Sequence, residues 1–303
     1  KVGAFQQSYL TSITIPNTVE TVENSGFLGS TSLSSVTFKQ DSKFTTVGQN
    51  MFNGATRLTS INIPASLTTI GVGMFNGATS LSDVTFDAVT YKTDSSLNSI
   101  ESSAFYNTPK LISIIIPDSV TTIGSSAFTL SGLTEIAIPK NVTTIGASAF
   151  SSSGLRSVTI PGSVTTIGKS AFNSAYSLSA VTFASNSSLT SIGEYIFAST
   201  TSLTSIEIPQ SVTSIESNAF TYSGLTEIAI PKNVTSIGPS AFWGAPSLAS
   251  VTFDTDSSLN SIGDYAFNKA SSLTEITIPQ GVTDISSNAF AESGLTKVSL
   301  YLS

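Results

Sequence analysis

A phenylalanine returns along this chain at nearly constant intervals, and that rhythm constrains the fold more than any other feature. Phe5, Phe27, Phe52, Phe75, Phe105, Phe128, Phe150, Phe172, Phe197, Phe220, Phe242, Phe267 and Phe290 stand 22, 25, 23, 30, 23, 22, 22, 25, 23, 22, 25 and 23 residues apart. A longer period lies above the first: Phe150 to Phe220, Phe172 to Phe242, Phe197 to Phe267 and Phe220 to Phe290 each span 70 residues. Units were copied in blocks of three, which an array tolerates because each unit touches only its neighbours. Length alone would suggest about two globular domains. The repetition replaces that expectation with a single repeat domain over 1–303, a curved or gently twisted solenoid of about thirteen units.

One unit shows the local logic. In GLTEIAIPKNVTTIGASAFSSS, running from Gly132 to Ser153, Leu133, Ile136 and Ile138 have the spacing of a strand whose alternate residues face one way. Pro139 ends that strand. A second short extended piece follows at 142–145, and Gly146 turns the chain into a brief helical or 3₁₀ segment that carries Ala149 and Phe150, whose ring fills the width of the coil. No unit can bury both its upper and its lower edge, so the units must stack, and their strands pair in parallel as one long sheet.

Two unit types are present. In one the strand ends in Ile-Pro, as at Ile15-Pro16, Ile116-Pro117 and Ile208-Pro209; in the other it ends in Val-Thr-Phe, at Phe38, Phe86, Phe183 and Phe253. The second type carries a longer polar loop, and the stretch from Phe86 to Leu97, which includes Tyr91 and Asp94, is the longest. These excursions fall on one edge, where repeat proteins often bind their partners.

Composition narrows the chemistry. Charged residues are only 10% of the chain, so Ser, Thr and Asn must fill the polar positions. A net charge of −7 offers no basic patch for phosphates, which sets aside nucleic acid and anionic lipid. Cys and His are both absent, which removes thiolate nucleophiles, disulfides and the commonest general base and metal ligands. The longest apolar run, Ile112 to Ile116, is far too short to span a bilayer. No catalytic residue, cofactor site or metal site is expected.

The recurring L-x-x-I-x-I-P-x-x-V-T-x-I-G-x-x-A-F resembles the BspA-like (Treponema-type) leucine-rich-repeat family over essentially the whole chain. The resemblance implies a leucine-rich-repeat solenoid with a parallel β-sheet on one face and short second strands and helical or 3₁₀ turns on the other, built from repeats of 22–25 residues with one of 30. It also implies an extracellular or cell-surface adhesion module binding proteins (host, matrix or self), with glycans as a further partner class. The family often carries Cys shortly after the Ala-Phe pair; here the stretches AFSSSGL and AFTYSGL place Ser there, so a thiol-linked role is not expected.

Several residues invite functional readings. Glu135, Glu207, Glu227 and Glu275 read as a solvated row just before the middle apolar residue of the strand. Asp254 and Asp256, in FDTDSSL, supply too few oxygens for a hard cation, and the sister loop FASNSSL lacks both, which favours a turn-forming role. Trp243, with Tyr106, Tyr176 and Tyr222, follows the Ala-Phe segments and reads as edge packing or as a protein anchor. Asn141, Asn186 and Asn233 fit the N-glycosylation sequon. Thr143, Thr165, Thr213 and Thr235 would align in a hydroxyl ladder of the ice-binding kind, with ordinary strand propensity as the simpler account. The chain opens inside a repeat and stops just after a strand, as a segment of a longer surface protein would. Alternatively, exposed end layers could meet head to tail in a self-assembling fibre.

Overall fold

The computed structural model describes residues 1–87 and 95–300. The chain groups into two compact units, Lys1–Leu155 and Arg156–Ser303, and both are parallel β-solenoids. Every coil has three sides. The first is a strand of up to four residues, such as Ser60–Ile63 or Glu227–Ile230, except at 111–116 and 203–208, where no strand forms; the second is a two-residue strand, such as Thr69–Ile70 or Ser236–Ile237; the third is a run of turns around the recurrent phenylalanine.

The rings form the spine of each unit. In the first, Phe5, Phe27, Phe52, Phe75, Phe105, Phe128 and Phe150 stack with centroids 5.1–5.7 Å apart and planes within 18°. In the second, Phe172, Phe197, Phe220, Phe242, Phe267 and Phe290 do the same at 5.1–5.6 Å. Isoleucine, leucine and valine from the two strand sides close around them, with Leu133, Ile145, Leu225 and Ile237 essentially inaccessible. Burying a large apolar side chain contributes about 1.5–3 kcal/mol; Phe52, Phe105, Phe220 and Phe242, each between two stacked rings, are fully buried, whereas Phe5 is exposed.

The third side departs from the expected helical or 3₁₀ segment: among the described residues it contains no helix, only turns. The residues two before and two after each ring are left-handed, as at Ser148 (φ 55°) and Ser152 (φ 54°) around Phe150, or Gly73 (φ 60°) and Gly77 (φ 70°) around Phe75. A left-handed residue every fourth position cannot continue a right-handed helix. It turns alternate N–H groups toward the neighbouring coil instead. Ser126, Phe128 and Leu130 donate to the carbonyls of Ala147, Ala149 and Ser151 at 2.8, 2.8 and 3.0 Å. A helix would have used those donors internally.

Hydroxyls reinforce the stacking. Thr143 Oγ1 donates to Thr121 O (3.4 Å), Thr213 Oγ1 to Thr190 O and Thr235 Oγ1 to Thr213 O (3.1 Å each). The same is seen where strands begin, with Ser82 Oγ on Thr59 O and Thr226 Oγ1 on Thr204 O, both 3.1 Å. Exposed threonines and serines thus bond one coil to the last without charge, which is why so few charged residues are needed. Ser131, Ser153 and Ser223 are buried with no hydrogen-bond partner for the hydroxyl among the described residues.

The first side differs from the expected long sheet. Its ladder runs in short pieces: Ser12–Ile15 with Ser35–Phe38 and Ser60–Ile63 with Asp83–Phe86 in the first unit; Ser157–Ile160 with Ala180–Phe183, Glu227–Ile230 with Ser250–Phe253 and Glu275–Ile278 with Lys297–Leu300 in the second. Within each unit these pieces end before the segments that lead into Pro64, Pro117 and Pro139 and into Pro209, Pro231 and Pro279, and the segments before Pro117 and Pro209 form no strand. Where a Val-Thr-Phe strand follows, the next residue keeps its N–H and extends the ladder, as in Asp87 N–H to Ile63 O (2.8 Å) and Ala184 N–H to Ile160 O (3.0 Å). Proline removes that donor.

Candidate interaction surface

The second side does not break where the first does. Ser99–Ile100 pairs in register with Thr122–Ile123, and Ser191–Ile192 with Ser214–Ile215. The rings also stay in contact, Phe75 with Phe105 at 5.3 Å and Phe172 with Phe197 at 5.6 Å. Two adjacent coils are therefore held together at two sides and parted at the third. The result is a wedge-shaped opening in the strand face after each of these Val-Thr-Phe strands.

After Phe86 the opening holds about 350 Å³ and is lined by Asp83 to Asp87, Ser95, Ser113 to Ile115 and Pro117. After Phe183 it holds about 710 Å³, between Val181 to Ser185 and Glu207 to Ser211, with Asp254 at its rim. After Phe253 it holds about 470 Å³, with Glu275, Thr277 and Lys297 among its walls. A further cleft of about 400 Å³ joins Glu207 to Glu227. All four are shallow and open to solvent on the strand face.

The structure sorts the residues read from the sequence. Glu135, Glu227 and Glu275 are exposed and begin their strands. Glu207 is a correction: it follows Ile206 instead of preceding it, so it stands two residues further along in the column of Ala229 and Thr277, not with the other three. Glu275 pairs with Lys297 at 3.4 Å, while Glu207 lines two openings at once.

Asp254 acts within the scaffold. Its Oδ2 accepts the Lys232 N–H at 3.1 Å and Gln210 Nε2 at 3.4 Å, bridging three successive coils. The corresponding Asp87 accepts from Asn62 Nδ2, whose Oδ1 receives Thr85 Oγ1 at 3.0 Å. Asp256 is exposed nearby. Among the described residues no group of three or more carboxylates is placed to hold a metal ion. Tyr91 and Asp94 lie outside the described residues.

Trp243 lies on the turn side, away from these openings. Tyr222 meets it edge-on at 4.7 Å, its Nε1–H donates to Asn268 Oδ1 at 2.7 Å, and Lys269 Nζ sits 5.7 Å above its ring. These contacts engage the indole in cross-coil packing. Asn141, Asn186 and Asn233 are exposed, and Asn141 and Asn233 donate to carbonyls of the preceding coil at 2.8 and 2.7 Å. The hydroxyl protons of Thr143, Thr213 and Thr235 are likewise spent on carbonyls, so this ladder is a stacking device and not a free hydroxyl array.

Sequence reasoning missed Ile112 and Ile115, which are 58% and 72% exposed on the strand face beside the opening at Phe86. Most other repeats place Thr, Ser, Ala or Asn in those two columns, so a pair of isoleucines there departs from the repeat pattern. Among the described residues no helix is long and apolar enough to cross a membrane.

A stack of parallel coils with shallow openings along one face is the architecture of a leucine-rich-repeat scaffold. The chain belongs to the BspA type leucine rich repeat family, whose six-copy profile matches residues 1–98, 98–200 and 190–302. It is similar to a leucine-rich repeat protein from Bacteroides ovatus, at 25% identity and a TM-score of 0.63 over 93% of this chain and 82% of that one. It is also similar to a leucine rich cell surface protein from Faecalibacterium prausnitzii, at 25% identity and a TM-score of 0.55 over 98% and 80% of the two chains. The pneumococcal vaccine antigen PcpA shares the fold at 24% identity and a TM-score of 0.62 over 97% and 80%. No curated protein sequence matches.

Proposed function

We propose that this chain is an extracellular or cell-surface module for protein interaction and adhesion, and that its contact area is the interrupted strand face. The carrying observation is that one backbone device, the opening after a Val-Thr-Phe strand, recurs with different linings: Ile115 beside Phe86, Glu207 beside Phe183, Thr277 beside Phe253. A constant skeleton with a varied exposed lining is how a repeat scaffold acquires partner specificity. The cell-surface relative supports the location.

The test is binding of the intact chain to extracellular matrix proteins and to whole cells. Arginine at exposed Thr182 and Thr252, in the openings of the second unit, should lower retention about tenfold. Replacing residues 88–94 with a short Gly/Ser linker asks separately whether the longest loop contributes. If both variants bind like the wild type, the strand face is not the contact area. Light scattering at rising concentration reads self-assembly in the same samples.

A further inference from the structure

Ile112 and Ile115 contribute nothing to the core, since Leu111, Ile114 and Ile116 of the same segment already fill it. Where Ile112 stands, Thr134, Ser82 and Thr226 each use a hydroxyl to bond the preceding coil; Ile112 gives that bond up. Where Ile115 stands, the neighbouring coils have Thr85 and Ala137. One repeat thus exchanges a stacking contact for exposed apolar surface: Ile115 lines an opening walled by Val84, Phe86, Ile114 and Pro117, and Ile112 stands three residues before it.

The charged residues around the opening are mostly acidic, with Lys110 exposed two residues before Ile112. Asp83 and Asp87 line the opening, and Glu135 is exposed at the start of the following strand, which bonds back through Thr134 N–H to Ile112 O at 3.0 Å. No lysine or arginine lines the opening among the described residues.

We propose that this opening anchors a basic, apolar segment of a partner protein, whose aromatic or branched side chain packs on Ile112 and Ile115 while an adjoining lysine or arginine meets Asp83 and Glu135. The geometry selects a single side chain and not an inserted strand, because the ring stack and the second ladder hold these coils one strand-spacing apart and an extra ladder strand needs about 4.8 Å more. A second copy of this chain fits poorly. Two isoleucines are far below the roughly 1,200 Å² of a stable interface, and a twofold contact would place the same carboxylates against each other in a chain already carrying −7.

The proposal rests on the interaction reading above and names the partner chemistry of one of its openings. Its test uses fluorescence anisotropy of the intact chain with two synthetic peptides, one alternating lysine with phenylalanine and one alternating glutamate with phenylalanine. The lysine peptide should bind selectively. Affinity should fall about tenfold in I112T/I115T, whose threonines occupy these columns in sister repeats, and a few-fold in D83N/E135Q with a flatter salt dependence.

Unchanged affinity in I112T/I115T, absence of lysine-peptide binding, or equal binding of the glutamate peptide would each overturn it. Self-association of the wild type that disappears in I112T/I115T would assign the patch to a second copy and overturn it as well. Cell and matrix binding that persists in I112T/I115T but is lost with arginine at 182 and 252 sinks this anchor and leaves the broader reading standing.

Discussion

Beside Phe86, the outward position of the next coil holds Ile115; beside Phe183, the same position holds Glu207. Behind both, a ring pair stays closed and a two-residue ladder stays in register. In both, proline follows the segment's last isoleucine directly, Pro117 after Ile116 and Pro209 after Ile208. The backbone solves one problem twice, parting two coils on one side, and the side chains then give the two openings opposite character. The first presents apolar surface among carboxylates; the second is wider and framed by Glu207, Gln210 and Asp254. Architecture and specificity are thus carried by different columns of the same repeat.

If the two openings share a skeleton, removing the ring behind either should be equally damaging. Phe105→Ala and Phe197→Ala, each emptying a fully buried site between two stacked rings, should cost about 3–5 kcal/mol in denaturant unfolding. A loss confined to one unit would break the equivalence.

The difference in lining should be transferable. Thr204→Ile together with Glu207→Ile gives the second opening the outward pair of the first, and binding of the lysine–phenylalanine peptide should rise about tenfold there. No gain would mean that the wider opening lacks a usable wall.

Asp254 fastens only the second opening, by bridging to Lys232 and Gln210. Asp254→Ala should lower stability by about 1 kcal/mol and speed hydrogen exchange at the Lys232 amide. The proline argument is tested last and has the smallest expected effect. Pro209→Ala restores an N–H facing the carbonyls of the preceding strand; stability should change by less than about 1 kcal/mol, because the new hydrogen bond opposes the greater freedom of the unfolded chain. The residue 209 amide should be protected from exchange as the opening narrows, and an unprotected amide would show that proline does not cause the break.

Much of this was legible beforehand in particular residues. The phenylalanine positions fixed the stacking column, and the Leu-x-x-Ile-x-Ile spacing fixed which strand residues face inward. The helical or 3₁₀ reading of the segment carrying Ala149 and Phe150 failed because Ser148 and Ser152 carry no sequence mark of a left-handed conformation; serine is common in every part of the repeat. The long sheet failed for a different reason. Each proline was visible, but whether a missing donor parts two strands depends on what the coil's other two sides do.

What the sequence alone determined is therefore periodic: the coil, its stacking direction, its buried columns and its family, all set by apolar spacing that any stacked neighbour will satisfy. What only the tertiary structure decided is where that stacking is incomplete. Openings arise from competition among three ladders in one coil, and exposed Ile112 and Ile115 gain meaning only beside the gap that the ring stack and the second ladder do not close.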